Sequence, residues 1–375
     1  TWFNIDTDEE HSLCQHDSRE ELDGCLADPL AQFSSWLQIM ARLRQQRDDS
    51  LVSLAFPHGE FRKGQRDIAE LTYKCIDQQG QLLLEAPTGI GKTAAVLFPA
   101  LKALATNKHD RVVFVTSKTV GRRAAEETLA HFTRAGYSGK ALSLTARDKI
   151  CLSPGSACHG DDCPYARGYY DKLPDALESA VCGPALARQD VERLAREHEV
   201  CPYQLALDLL PWVDVIIADL HYVYSLTASL ANAMEADDRR WSVLLDEAHN
   251  LPGRARGMYS ASLSKSSLMA AKAGMSGLPK KPLARLNRVL LALQKEEWAE
   301  PEFDSRDTLP EKLLAAAREF SGAVSEELLR DPRFLLRQPA LLDFFFETLQ
   351  FLRVAEHWGQ EYRLELSRGK GRQGL

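Results

Sequence analysis

A chain of 375 residues with 45% hydrophobic and 26% charged residues is ordinary for a soluble globular protein and long enough for roughly two or three domains. No run reaches the roughly 18 apolar residues of a membrane span and no basic-then-apolar leader is seen, so a cytoplasmic protein with no membrane partner is expected. With a net charge of −7 and an isoelectric point near 5.9, any nucleic-acid binding must rest on lysines and arginines concentrated locally.

In chain order, TWFNID alternates like a strand, and residues 1–50 read as the end of a preceding domain with a connecting helix, or as a small extension. A helix is predicted in PLAQFSSWLQIMARLRQQRDD, with Phe33, Leu37, Met40 and Leu43 on one face. GQRDIAELTYKCIDQQ carries Ile68, Leu71 and Cys75 at helical spacing, which makes Cys75 a core residue. QLLLEA reads as a short buried strand, and a helix follows from Lys92. Then come the strand RVVFVTS, the helix GRRAAEETLAHFTRAG, the strand KALSLTA and, further on, the strands VDVIIADL and WSVLLDEAHN. Short apolar strands separated by helices imply an α/β fold: a parallel sheet covered on both faces, with ligands at the carboxyl ends of its strands.

The segment APTGIGKT, residues 86–93, has the spacing A/G-x-x-x-x-G-K-T between a predicted strand and a predicted helix. Glycines let successive N–H groups turn inward on phosphate, and the helix adds its positive end. Thr88, Gly89, Gly91, Lys92 and Thr93 therefore form a candidate ATP loop, with Lys92 on the β- and γ-phosphates and the Thr93 hydroxyl on Mg2+. The second half of such a site is a carboxylate on a neighbouring strand. Asp246 fits the magnesium shell, and Glu247 fits the group that polarises the attacking water.

APTGIGKT together with DEAH resembles motifs I and II of superfamily-two helicases. That resemblance implies a RecA-like P-loop lobe over 51–146 and 213–250, and it adds His249 to the nucleotide-binding set. FPHGEFRKGQRDIAE is similar to the adenine-reading segment of the group, which places Gln65 and Arg62 at the base. FVTSKTVGRR resembles the next motif, whose Thr116, Ser117 and Lys118 would meet nucleic-acid phosphates without reading sequence. Arg122 and Arg123 either extend that patch or solvate a helix.

Between the two halves of the ATP site lie Cys151, Cys158, Cys163 and Cys201, at spacings that suit either zinc or an iron–sulfur cluster. Cys182 competes for one ligand position, and His159 or His198 could complete a zinc site. Four cysteines in an insertion ahead of DEAH, with Arg147 four residues before Cys151, resemble the XPD/DinG family of iron–sulfur DNA helicases. Within it the pattern is most similar to bacterial DinG-like proteins that carry a nuclease-type module upstream. The resemblance implies a [4Fe-4S] cluster domain over 147–212, five-prime to three-prime movement and a monomer on single-stranded DNA and duplex junctions.

After Asn250 the patterns are helical with no strand signal, which resembles the family's helical arch over 251–375. DFFFETLQFL reads as core rather than a base-stacking platform, and SRGKGRQGL as a solvated basic tail. No Q-x-x-G-R-x-x-R-like stretch of a second motor lobe occurs, so the chain is expected to be the front part of a longer helicase, able to bind ATP but not to unwind. The alternatives are a zinc-containing nucleic-acid-binding P-loop NTPase and a nonenzymatic ATP-gated scaffold.

Overall fold

The computed structural model describes residues 2–4, 9–12, 16, 18–56, 59–87, 89–183, 185–273, 280–296, 298–331 and 333–368; Thr88, Cys14 and most of the basic tail lie outside them. Strand β1 (Trp2–Asn4) pairs antiparallel with β2 (Glu9–His11). Helix α1 (Arg19–Ser53) follows, opened by a reciprocal cap in which the Ser18 hydroxyl accepts from the Glu21 N–H and the Glu21 carboxylate accepts from the Ser18 N–H. It starts well before the predicted helix and carries Pro29 inside it. Of the predicted face, Met40 and Leu43 pack on the core, whereas Phe33 and Leu37 are exposed.

The central sheet has four parallel strands in the order β4-β5-β3-β6: β3 (Arg111–Thr116), β4 (Ala141–Ser143), β5 (Val215–Asp219) and β6 (Trp241–Leu245). The period-two side-chain alternation of strands divides two cores. Val112 and Phe114 of β3, with Val215 and Ile217 of β5, face α2 (Gln65–Asp77), α3 (Lys92–Ala105) and α4 (Thr119–Arg134). Val113, Val115, Ile216 and Ala218 face the other way, onto α5 (Arg147–Ile150), α6 (Tyr169–Cys182), α7 (Arg188–Glu197) and α8 (Pro202–Asp208). The segment over 147–212 therefore has no separate core: its helices cover one face of the sheet, while its cysteine-bearing loop stands beside them.

Two expectations fail near the ATP loop. QLLLEA forms no strand; Leu82 and Leu83 are exposed, and among the described residues nothing pairs with the outer edge of β6, where Val243 is also exposed. A strand exists only through its ladder, and QLLLEA makes none although the outer edge of β6 is open among the described residues. On α2 the buried residues are Gln65, Ile68, Ala69, Thr72 and Ile76, which leaves Leu71 exposed and Cys75 only half-buried.

Between β5 and β6 lie α9 (His221–Tyr224) and α10 (Ser229–Glu235), and beyond β6 come α11 (Leu251–Met258), α12 (Lys265–Ala273), α13 (Lys280–Lys295), α14 (Glu311–Arg330) and α15 (Pro339–Glu356). Helices α12–α15 share a third core containing Phe320, Phe344, Phe345 and Phe351, as expected for DFFFETLQFL. The region is not strand-free: β7 (Phe303–Arg306) pairs antiparallel with β8 (Leu364–Ser367). Both are four residues long and partly polar, too short to leave an alternation signal in sequence. Arg368 continues that pairing and lays its guanidinium over Trp298, 4.1 Å from the ring centre, so the predicted tail begins as fixed structure. No helix among the described residues is long and apolar enough to cross a membrane.

Candidate nucleotide site and nucleic-acid groove

The carboxyl edge of the sheet gathers the predicted ATP-site residues. Gly91 caps α3 in a left-handed conformation, φ 85°, and no side chain caps the helix, so its first-turn N–H groups stay open toward an anion. The positive φ of Gly91 favours glycine, and a side chain there would also displace the Gln65 amide.

Lys92 Nζ donates to the carbonyls of Ala86 at 3.0 Å and Pro87 at 3.3 Å, curling back over the loop. Arg62 Nη1 donates to the Gly89 carbonyl at 2.9 Å. Gln65 is buried; its Oε1 accepts from the Arg62 N–H at 2.7 Å, and its Nε2 reaches the Gly91 carbonyl at 3.5 Å. Both base-reading candidates thus hold the loop itself. That arrangement is not readable from an isolated glutamine in sequence.

Asp246 follows β6 directly, its N–H bonded to the Val115 carbonyl at 2.8 Å. Burial, then the charge of Glu247, raises its pKa above the ordinary Asp value, while Thr116 and the Lys92 charge pull it down. Lys92 and Asp246 therefore share one field, as a site for magnesium and phosphate requires. Glu247 sits in the left-handed region at φ 54°, a conformation costing roughly 1–3 kcal/mol for a non-glycine residue. Its carboxylate lies 3.4 Å from His249 Nδ1, and its carbonyl accepts from the N–H and side-chain amide of Asn250. The strain is held by the turn that aims the two acids.

Thr116 does not stand free for nucleic acid. It is 3% exposed and gives its hydroxyl to Asp246, whereas Ser117 and Lys118 remain accessible. The close approach of α4 here depends on Gly121, which carries no local signal in the sequence: a Cβ there would lie 2.7 Å from Asp246 Oδ2 and closer still to Thr116 Oγ1.

Beside the site runs a groove of about 940 Å³ between the sheet edge, the inserted segment and the helical region. Lys118, Arg122, Arg147, Lys149 and Arg188 line it, against Glu126 and Asp219. Each of those acids already accepts a hydrogen bond, Glu126 from Ser143 at 2.6 Å and Asp219 from the His221 N–H at 3.0 Å. Tyr203 and Tyr222 add ring faces. Lys149, Arg188 and the tyrosines come from four separate stretches, so no local motif announced them.

Burial raises the Cys201 thiol pKa, and Cys158 and Cys163 add to that rise. Cys182 instead acts on Lys140, at the amino edge of the sheet. Among the described residues, no three His, Cys, Asp or Glu side chains are arranged as a closed metal site. The donor chemistry, free thiols on a loop with little core of its own, fits a thiolate-bound group.

The DEAD/DEAH box helicase family matches residues 64–148, and the DEAD_2 family matches residues 128–268. The chain is 25% identical over 239 residues to the general transcription and DNA repair factor IIH helicase subunit XPD of Arabidopsis thaliana, covering 53% of this chain and 31% of that protein. It is 24% identical over 253 residues to the regulator of telomere elongation helicase 1 of Bos taurus, covering 53% of this chain and 20% of that protein. It thus spans between a fifth and a third of these relatives' lengths. A solved structure titled XPD_Helicase shares the fold over 82% of this chain and 54% of its own, with TM-score 0.50 and 18% identity. With the parallel sheet and its loop–carboxylate edge, residues 64–268 carry DEAD/DEAH box helicase and DEAD_2 domains and are homologous to the XPD and telomere-elongation-regulator helicases.

Proposed function

We propose that this chain supplies the ATP-binding lobe of a longer ATP-dependent DNA helicase. One observation carries the reading: the uncapped start of α3 with Lys92 meets the acids Asp246 and Glu247 at one sheet edge, beside a cation-lined groove. On nucleotide binding Lys92 exchanges the loop carbonyls for phosphate oxygens. Thr93 and Asp246 hold magnesium, and Glu247 polarises the attacking water. Arg62 and Gln65 keep the loop's shape and meet the base. Lys118 and Arg122 track the phosphates of a single strand, while Tyr203 and Tyr222 offer stacking faces.

Cys151, Cys158, Cys163 and Cys201 would hold a [4Fe-4S] cluster, supported by the family resemblance and by their free thiols. When bound, such a cluster supplies a covalent pin for a loop that lacks core of its own. The DinG-like branch, five-prime to three-prime movement, monomeric state and upstream nuclease-type module rest on resemblance alone.

Calorimetric titration with magnesium-ATP tests the nucleotide site. Lys92→Ala should abolish binding without unfolding the chain, and unchanged affinity would remove the loop assignment. In the longer enzyme, Glu247→Gln should keep ATP bound yet unhydrolysed. Anisotropy with single-stranded DNA tests the groove, where Arg122→Ala combined with Lys118→Ala should weaken binding and flatten its salt dependence.

A further inference from the structure

At the amino edge of the same sheet, opposite the ATP site, lies a cavity of about 290 Å³ under α1. A six-residue strand such as β3 separates the two edges by about 20 Å, so the sites are distinct. The cavity wall carries Arg44, Arg47, Arg111, Lys140 and Arg239, and one carboxylate, Asp214. These side chains arrive from α1 and from the approaches to β3, β4, β5 and β6, so the fold rather than a local run assembles them.

Asp214 does not neutralise this wall. Its Oδ1 accepts from Arg47 at 2.6 Å and its Oδ2 from the Lys140 backbone N–H at 2.7 Å. Asp48 is held by Arg47 at 2.6 Å, Asp110 by Arg240 at 3.1 Å, and Asp237 stands 3.6 Å from Arg239. Arg111 meets only carbonyls, those of Pro211 at 2.6 Å and Asp110 at 3.2 Å. It is 5% exposed, and its Nε is a buried donor with no partner. Neither the Arg44 guanidinium nor the Lys140 ammonium makes a hydrogen bond or ion pair among the described residues.

What the cavity presents to an incoming ligand is therefore the Arg44 guanidinium and the Lys140 ammonium, with the Arg111 charge behind them. Burial, then Arg239, pushes the Arg111 pKa down to about 10, and burial lowers that of Lys140. An anion in the cavity offsets the Arg239 repulsion on Arg111 and gives Lys140 a counter-charge. Leu37, Met40 and Trp212 make the remaining wall apolar, leaving room for little more than a compact ligand.

We propose that this cavity is a second anion site that takes a small phosphate-bearing ligand with at least two phosphoryl groups, bound by Arg111, Lys140 and Arg44. Guanidinium forks match phosphoryl oxygens, and Lys140 adds a point charge. The ligand chemistry is shared by inorganic pyrophosphate and by the diphosphate of a free nucleotide.

The test uses the full chain carrying Lys92→Ala, so that the ATP loop does not contribute. Pyrophosphate and ADP are titrated separately, followed by calorimetry and by the fluorescence of Trp212, read as the difference from Trp212→Phe. Saturable one-site binding of pyrophosphate is expected, weakened at least tenfold by Arg44→Glu and by Lys140→Glu, with thermal melts confirming that both variants fold. Arg44→Gln, on the exposed face of α1, is the milder variant and should weaken binding severalfold. ADP binding equal to pyrophosphate supports recognition of the diphosphate alone; tighter ADP binding supports a free nucleotide whose ring meets Trp212. No saturable binding of pyrophosphate, or binding indifferent to both charge reversals, overturns the proposal. Neither result bears on the ATP loop, which is read separately in the chain with Lys92 intact.

Discussion

Thr116, at the end of β3, donates its hydroxyl to Asp246 Oδ2 at 3.4 Å, and so joins the strand leading into the groove to the first acid of DEAH. The residue expected to touch nucleic acid instead sets the carboxylate expected to hold magnesium. Nucleic-acid phosphate at Ser117 and Lys118 would be felt at Asp246 through a single intervening residue.

Thr116→Val should therefore raise the Asp246 pKa further, because the hydrogen bond is one of the influences lowering it. Magnesium needs the carboxylate, so the pH midpoint of magnesium-ATP affinity should move upward, with affinity lost on the acid side of that midpoint. The stability effect has a definite sign. An acid with a raised folded pKa contributes stability present below its unfolded pKa and lost as pH rises through the folded value. The variant should thus lose more stability at neutral pH than in acid. Titrations from acid to neutral pH check both, and an unshifted midpoint contradicts the coupling.

Gly121→Ala probes the same contact from the helix side. Alanine favours helix, so local propensity predicts a gain. The new methyl would instead press on Thr116 and Asp246, at a cost of about 1–3 kcal/mol. The expected outcome is a folded chain whose magnesium-ATP affinity drops tenfold or more, measured by calorimetry beside a thermal melt.

Asp214→Ala should be strongly destabilising. Arg47, whose side chain is 6% exposed, would keep only Asp48, and the Lys140 N–H would lose its acceptor. Breaking a buried pair of this kind costs about 3–5 kcal/mol. Denaturant unfolding at constant slope measures it. A loss below about 1 kcal/mol would show that the pair behaves like a surface one.

The cysteine assignment is read by colour. Anaerobically purified protein should be brown with about four irons per chain, and serine at Cys151, Cys158, Cys163 or Cys201 should bleach it. Cys182→Ser should stay brown, since Cys182 faces Lys140 rather than the other thiols. Bleaching by Cys182→Ser alone, or stoichiometric zinc, overturns the ligand set.

The sequence by itself determined the parts whose signal is local. RVVFVT, VIIAD and WSVLL are apolar runs flanked by helical patterns, and they are strands β3, β5 and β6. GKT opening an alanine-rich helix is α3, starting at Lys92 as expected. Period and loop chemistry act over a few residues, so they survive in one dimension.

Only the tertiary structure decided the rest. QLLLEA had the composition of a strand but forms no ladder, and β7 and β8 found each other across some sixty residues despite weak patterns. Thr116 and Gly121 owe their roles to Asp246, about 130 residues away in the chain. The cationic cavity draws on five segments, none basic enough alone to be noticed. Burial, pairing and repulsion depend on distance in space, and a sequence reports only distance along the chain.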